Sequence, residues 1–310
     1  MSKRLTVIIP CKNETRNIRE CIESVRNVAD EVIVADSGST DDTVAIARAL
    51  GGCRIIKREW KTACDFKNWA LTHATHEWVL VVDADERVTP SLAKEIRQVL
   101  IDPRRSGYQI YRANHFMGHH VRFGQWGADK ALRLFNRTQA CYVGDTDHAA
   151  VQVRGDRVGF LGQRLTHLTC WTYDQYQQKM HHYARLQAER WHIAGKRPSR
   201  IRMFLTAPLR FFQTYVLRLG FLDGAVGFQV CMMIAFYSFE KQARLWALSH
   251  AKQQPLGDAA TNIRAATVTS EPYRAKKTRA KLLMTVQSKA VVSAASCRRT
   301  IMAAGCRRYE

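Results

Sequence analysis

The chain predicts an α/β protein, an open sheet flanked by helices, and three features of its first ninety or so residues carry that prediction. Four short runs rich in β-branched and apolar residues, Leu5 to Ile9, Glu31 to Ala35, Arg54 to Lys57 and Trp78 to Val82, have the length of strands. Helical segments separate consecutive runs, giving strand and helix in strict alternation. Asn13, Glu14, Asp36, Asp83 and Asp85 follow the carboxyl ends of three of these runs, the edge at which open α/β sheets hold their ligands.

Leu5 to Ile9 is the first strand, and Pro10, Cys11, Lys12, Asn13 and Glu14 form its exit loop. From Thr15 to Asn27 apolar residues recur at Ile18, Cys21, Ile22 and Val25, which gives one helical face for packing on the sheet. The second strand, EVIVA, closes at Asp36. The polar loop SGSTDDT then becomes a helix N-terminus at Thr40 to Asp42, and that helix runs through Leu50 until Gly51 and Gly52 stop it. Arg54 to Lys57 is a third strand and Asp65 to Thr75 a third helix. Trp78 to Val82 is apolar throughout and bounded by charge, as a central strand buried on both faces is. Right-handed crossovers make this succession a single sheet.

The central strand ends in Asp83, Ala84, Asp85 and Glu86. Three carboxylates within four residues raise one another's pKa unless a cation shares the site. Hard oxygen ligands at a strand end suit Mg or Mn carrying a phosphorylated substrate, because these metals keep several waters and take only one or two protein carboxylates. The alternative is an acidic lead into a helix, for which Thr89, Pro90 and Ser91 supply a cap and first turn.

With 310 residues the chain can bury a full core, and its formal charge of +21 calls for anionic partners: nucleic acid, phospholipid headgroups or nucleotide diphosphates. Nine cysteines form no CxxC pair, and MSKRLTVIIP reads as a strand rather than a secretory leader, so reduced thiols and a cytosolic setting are expected.

No GxGxxG follows the first strand and no Walker lysine loop is present, so phosphates must be held by a metal and a few side chains. TVIIPCKNE, EVIVADSGSTDDT and WVLVVDADE, in that order and spacing, resemble the nucleotide-sugar glycosyltransferases of family 2, which have the GT-A fold; the resemblance covers Leu5 to about Arg97. It implies that Pro10, Asn13, Glu14 and Asp36 line the nucleoside pocket, that Asp83 meets the ribose or the metal, and that Asp85 ligates a divalent cation. Lys67 and Asn68 occupy a family position near the donor. Loop capping is the alternative for Asp36 and Asp42, and a solvated helix face for Lys67 and Asn68.

Further strands are expected at Gly107 to Asn114 and Val121 to Phe123, followed by WGADKALRLFNR and VGDTDHAAV. In the family an acidic residue of this acceptor-side segment serves as the base, which here implies Asp129. Inversion needs only one carboxylate, taking the acceptor hydroxyl proton while the metal neutralises the departing diphosphate. A salt bridge to Lys130, Arg133 or Arg137 is the competing role for Asp129. The resemblance makes His148 a metal ligand beside Asp85, although the family's Val-His-Glu reads Asp147-His148-Ala149 here. His167 is structural or acceptor-side.

Beyond residue 170 the chain changes character. Tyr173 to Ala194 has helical spacing, Met203 to Gly220 is aromatic and aliphatic with only two arginines, and Ala225 to Phe239 is fifteen residues without charge. Fifteen fall short of the roughly twenty needed to cross a bilayer, so a helix pair lying in the membrane interface is expected, with a buried hairpin as the alternative. YARLQAERWHIAGKRP and RFFQTYVLRLGFLDGAVGF resemble the branch of family 2 that holds the β-glucosyltransferases of lipopolysaccharide core assembly, up to about His250. From Ala251 to Glu310, twelve Lys or Arg against three acids describe a basic tail.

The expected organisation is a catalytic domain over residues 1–170, a helical membrane-associating region over 171–250 and the tail. The resemblance implies a metal-dependent inverting transferase moving glucose from UDP-glucose to a lipid-linked saccharide, peripheral on the cytoplasmic face of an anionic membrane and not bound to nucleic acid. Transfer to a polyprenyl phosphate is the alternative among enzymes. A basic nucleic-acid-binding protein is the alternative outside them, opposed by strand-end acids that would repel phosphate without a metal.

Overall fold

The computed structural model of the protein describes residues 2–144, 149–155 and 158–250. Its first half follows the predicted alternation: β1 (Leu5–Cys11), α1 (Ile18–Val25), β2 (Glu31–Asp36), α2 (Thr43–Leu50), β3 (Arg54–Lys57), α3 (Ala63–Thr72) and β4 (Trp78–Val81). These strands lie parallel in the order β3-β2-β1-β4, so β1 and β4 are interior, as continuous apolar runs require. Val7 and Ile9 of β1 pack with Ile18, Cys21, Ile22 and Val25 of α1 on one face. Ile8, Val79 and Val81 meet Phe66, Ala70 and Leu71 of α3 on the other, the two-residue alternation of a strand. Helix α3 starts at Ala63 rather than Asp65 because the Thr62 hydroxyl accepts from Asp65 N at 3.1 Å.

The second half adds β5 (Glu86–Val88), α4 (Pro90–Val99), β6 (Gly107–Phe116), β7 (His119–His120), β8 (Lys130–Asn136), β9 (Ala140–Val143), β10 (Ala150–Val153) and β11 (Val158–Cys170). No strand forms at Val121 to Phe123. The amides of Arg122 and Phe123 donate instead to the Asp223 carboxylate, at 3.0 and 2.8 Å, which occupies the groups a neighbouring strand would need. Thr89 and Pro90 do begin a helix, α4, with the Thr89 hydroxyl accepting from Leu92 N at 3.2 Å; β5 separates that helix from the acidic residues.

The large sheet has the order β3-β2-β1-β4-β8-β6-β11-β5, with β7 beside β6, and mixes parallel with antiparallel pairs. Strands β4 and β5 stand four positions apart in it, about 19 Å along a flat sheet. Only Val82 to Asp85 connect them, and five Cα steps reach at most about 17 Å. The sheet therefore curls back on itself, and the acidic residues cross its mouth.

Residues Met1–Ala251 form one compact unit that includes three long helices, α5 (Tyr173–Ile193), α6 (Arg200–Phe211) and α7 (Gly224–His250). Pro208 lies inside α6, and the chain then winds through a π-helical turn, Phe212–Leu217, closed by Arg218 N to Gln213 O at 3.0 Å. A 3-10 turn, Gly220–Asp223, precedes α7. A Cβ at Gly220 would lie 2.8 Å from Thr214 O and 2.6 Å from Cys231 Sγ, so only glycine lets these turns close.

Helix α7 is longer than the uncharged stretch suggested, 27 residues or about 40 Å. Gly220–His250 is thus long and apolar enough to cross a membrane by length and composition. One face of it is nevertheless packed: Val230, Met233 and Ile234 bury against Phe116, Val121 and Tyr176. The outward side of α6 and the turns after it is apolar and open, with Phe204 72%, Ile201 71% and Leu217 66% exposed. The predicted basic tail and His148 lie outside the described residues.

Candidate active site

The acidic segment after β4 meets its cation within the protein. Asp83 accepts from Lys67 Nζ at 3.1 Å and from Arg133 Nη2, and Arg133 Nη2 also reaches Glu86 Oε1 at 2.6 Å. Burial alone would push the Asp83 carboxyl up, but Arg133 and then Lys67 hold it well below the usual carboxylate range. Register explains the meeting, because Leu80 of β4 pairs with Leu134 of β8 and so brings Arg133 beside the strand end. Arg133 is thus no partner of Asp129. The ladder continues: Arg112 Nη1 stands 3.6 Å from Glu86 Oε1, and Arg112 Nη2 lies 2.7 Å from Asp129 Oδ1.

Asp85 is held differently. Its backbone oxygen accepts from Leu168 N of β11 at 2.9 Å, and its carboxylate, 22% exposed, faces His167 Nε2 at 3.4 Å. Burial opposes ionisation of Asp85, yet its pKa is lowered, His167 being the main cause. His167 Nδ1 lies 2.5 Å from Asn114 Oδ1, and Asn114 Nδ2 donates to Asp129 Oδ2 at 3.0 Å. Asp85, His167, Asn114 and Asp129 form one continuous chain of polar contacts.

Two cavities flank that chain. The first, about 250 Å³, is lined by Asn13, Glu14, Asn17, Asp85, Trp171 and Lys179 among others. Asn13 adopts φ +56°, a left-handed conformation that asparagine tolerates. Its amide donates to Ser39 Oγ at 2.9 Å and its Oδ1 accepts from Thr40 N at 2.8 Å, which ties the loops after β1 and β2 together. Asp36, nearly fully buried, caps the second loop by accepting from Ser39 N at 3.0 Å, the capping role weighed for it in sequence. Burial raises the Glu14 pKa, with Asp85 and Asp83 adding to the effect against Asn17 and Lys179. Arg16 stacks on Trp171 at 3.9 Å to make another wall. Pro10 sits half-buried in β1 itself, paired with Ala35.

The second cavity, about 340 Å³, is lined by Asp129 and His167 on the sheet side and by residues of α5, α6 and α7 on the other; Thr169 and Lys179 line both spaces. Asp129 follows the 3-10 turn Trp126–Ala128, which needs Gly127 because a Cβ there would meet Arg122 O at 2.1 Å. Against its burial, Arg112 and Asn114 hold the Asp129 carboxyl below its ordinary pKa. An ionised carboxylate lining a cavity can take a proton from a hydroxyl bound there.

Among the described residues no group of three or more His, Cys, Asp or Glu is arranged to hold a metal ion. A hard divalent cation needs only one or two carboxylates when phosphates and waters complete its shell. Asp85 fits that requirement, since among the described residues no Lys or Arg bonds its carboxylate and the side-chain contact it makes, to His167, is long at 3.4 Å. Asp83, already shared between two cations, fits it less well.

The family model of glycosyl transferase family 2 matches residues 6–153, which include every strand-end residue named above. An uncharacterized glycosyltransferase of Rickettsia bellii is 31% identical over 262 residues, covering 80% of this chain and 88% of that protein. The chain belongs to glycosyltransferase family 2. This family 2 transferase is also 26% identical to the lipopolysaccharide core biosynthesis glycosyltransferase LpsC of Rhizobium meliloti, over 83% of its own length and 97% of LpsC. Among solved structures it is similar to glucosyl-3-phosphoglycerate synthase from Mycobacterium tuberculosis, with 17% identity, 56% of this chain and 75% of that one covered, and a TM-score of 0.44.

In the transferase the sequence motifs bring Asn13, Glu14 and Asp85 onto one cavity, while Asp36 holds the neighbouring loop through Ser39 and Lys67 bonds Asp83. Lys67 and Asn68 are not a solvated face: Asn68 exchanges two 2.9 Å bonds with the backbone of Tyr142, anchoring β9 on α3. Arg112, Arg133, Asn114 and Lys179 went unnoticed in sequence as members of the site. Only the surplus of acids at Asp83 to Glu86 signalled that a cation had to arrive from elsewhere.

Proposed function

We propose that the protein is an inverting hexosyltransferase that moves glucose from UDP-glucose to a lipid-linked saccharide, such as the heptose of a lipopolysaccharide core, at the cytoplasmic face of the membrane. The observation that carries this reading is the chain from Asp85 to Asp129 through His167 and Asn114, set between two adjoining cavities. The cavity beside Asn13, Glu14 and Asp85 takes the nucleotide sugar, with Pro10 and Asp36 shaping its loops and Lys67 fixing Asp83 under its floor. Asp129 takes the proton of the acceptor hydroxyl as that oxygen bonds the anomeric carbon, and the electron pair of the broken bond leaves on UDP. Asp85, with His148 on the family pattern, would hold Mg or Mn, which when bound neutralises charge developing on the diphosphate. Inversion needs one base, and the family pattern calls for no second carboxylate as nucleophile.

The relationship to LpsC supports a saccharide of the lipopolysaccharide core as acceptor. The open apolar side of α6, bordered by Arg200, Arg202 and Arg218, supports a peripheral membrane setting, in which aromatics enter the interface and cations meet anionic headgroups. A screen of nucleotide sugars against lipid-linked saccharides, with mass detection of the extended glycolipid, tests the reaction directly. Binding of UDP that requires added Mg or Mn, and that disappears in Asp85→Ala, tests the donor site; metal-dependent affinity surviving that substitution would refute it.

A further inference from the structure

The cavity on the acceptor side carries an unbalanced charge that the proposed transfer does not use. Asp129 is the one carboxylate among its lining residues and is already bonded to Arg112 and Asn114. Opposite it stand Arg210 and Lys241, half-buried. Arg210 Nη1 donates to the neutral Gln213 Oε1 at 3.0 Å, and Lys241 lies over the Tyr237 ring at 4.1 Å; among the described residues neither forms an ion pair. The adjacent acid in sequence, Glu240, is turned away, held by His181 at 2.7 Å and by Arg244 at 2.6 Å. Burial, then Arg210 and Lys196, push the Lys241 pKa down to about 8, the direction expected where cations are gathered without a counter-charge.

Two half-buried cations lining one cavity repel each other, and a bound anion removes that cost. Their arrangement is built rather than incidental: Pro208 inside α6 and the π-helical turn after it fix the end of α6 that carries Arg210, while Lys241 lies within the packed stretch of α7. Surface lysines reaching for lipid would stand on the open face of α6 instead. We propose that Arg210 and Lys241 form an anion subsite of the acceptor cavity and that the acceptor saccharide bears a phosphate group there, close enough to Asp129 to orient its hydroxyl. This rests on the role proposed above for Asp129, which lines the same cavity, as the base for the acceptor hydroxyl.

The test is a titration of the full chain with glucose 6-phosphate and with glucose, both in saturating UDP and Mg so that the donor site is filled, and repeated without UDP. Binding of the phosphorylated sugar and not of the neutral one is expected, weakened at least tenfold in Arg210→Met and in Lys241→Met. UDP affinity, measured on the same samples, stays unchanged in both variants and reports that they are folded. Equal binding of glucose, no binding of glucose 6-phosphate, or wild-type binding by both variants would overturn the subsite. Phosphatidylglycerol vesicles form the other arm: a variant that loses vesicle binding while keeping glucose 6-phosphate binding would show the cations serving a lipid phosphate, and the proposal would fail. If UDP does not bind the native chain, the transferase reading fails by itself, while the titration without UDP still decides the subsite.

Discussion

Asn114 Oδ1 and His167 Nδ1 lie 2.5 Å apart, and this single contact joins the carboxylate on the donor side, Asp85, to the one on the acceptor side, Asp129. The two residues are cross-strand neighbours, paired in the register of β6 and β11. In the proposed reaction this would tie proton abstraction and departure of the nucleotide to one piece of sheet, limiting misplacement of the base relative to the donor.

Asp129→Asn removes the base while preserving shape and the Asn114 contact. Metal-dependent UDP binding should persist and transfer should drop on the order of 10²- to 10⁴-fold. Because Arg112 keeps the carboxyl below its ordinary pKa, the base form survives acidification. The pH profile of kcat/KM in the native enzyme should therefore stay flat from neutrality through the usual carboxylate range and fall only below it. A fall near pH 6 would assign the base to another group.

Arg133→Met should be among the most destabilising single changes in the protein. It leaves Glu86, fully buried, and Asp83 without their shared counter-charge, and removing one partner of a buried pair costs about 3–5 kcal/mol. Denaturant unfolding would report the loss, and adding Glu86→Gln to the same chain should recover part of it.

Stability should also fall in acid over a defined window. Glu31 at the start of β2 accepts from Thr6, Thr75 and Arg54, and these bonds lower its pKa from 4.5 to about 2 against the opposing effect of burial. A carboxyl depressed in the folded state stabilises above its unfolded pKa, and that stabilisation is lost as pH falls through the folded value. The unfolding midpoint should hold down to about pH 5 and decline from about pH 4.5 towards 2, with a shallower decline in Glu31→Gln.

Replacing Phe204 and Leu217 together by serine should leave UDP affinity intact and reduce cosedimentation with anionic vesicles several-fold. Equal sedimentation of the double variant and the native chain would place membrane contact elsewhere.

The parallel half of the sheet was readable because each of its strands is apolar on both faces and each intervening helix carries its own periodic stripe. The loops after β1, β2 and β4 were readable as well, since polar residues at strand ends have few structural reasons to be there. What escaped was pairing between distant strands. Nothing near Asp83 in sequence announces Arg133, fifty positions away, and nothing near Asp129 announces Arg112, because the partner is chosen by antiparallel register in the second half of the sheet. Helix α7 was underestimated for a related reason: its charged residues Glu240 and Arg244 pair with each other at 2.6 Å, and Glu240 also contacts His181 of α5, so charge did not end the helix where composition suggested.

Between β4 and β5 the chain has only Val82 to Asp85, and Asp83 to Glu86 close a turn in which Glu86 N donates to Asp83 O at 2.8 Å. A one-residue deletion there could not be absorbed by a loop, and would have to pull β5 off β11 or β4 off its neighbours. The Asp85 carboxylate is therefore mounted on a closed turn whose length the sheet dictates, and evolution of this site can change the chemistry of those four side chains far more freely than their number.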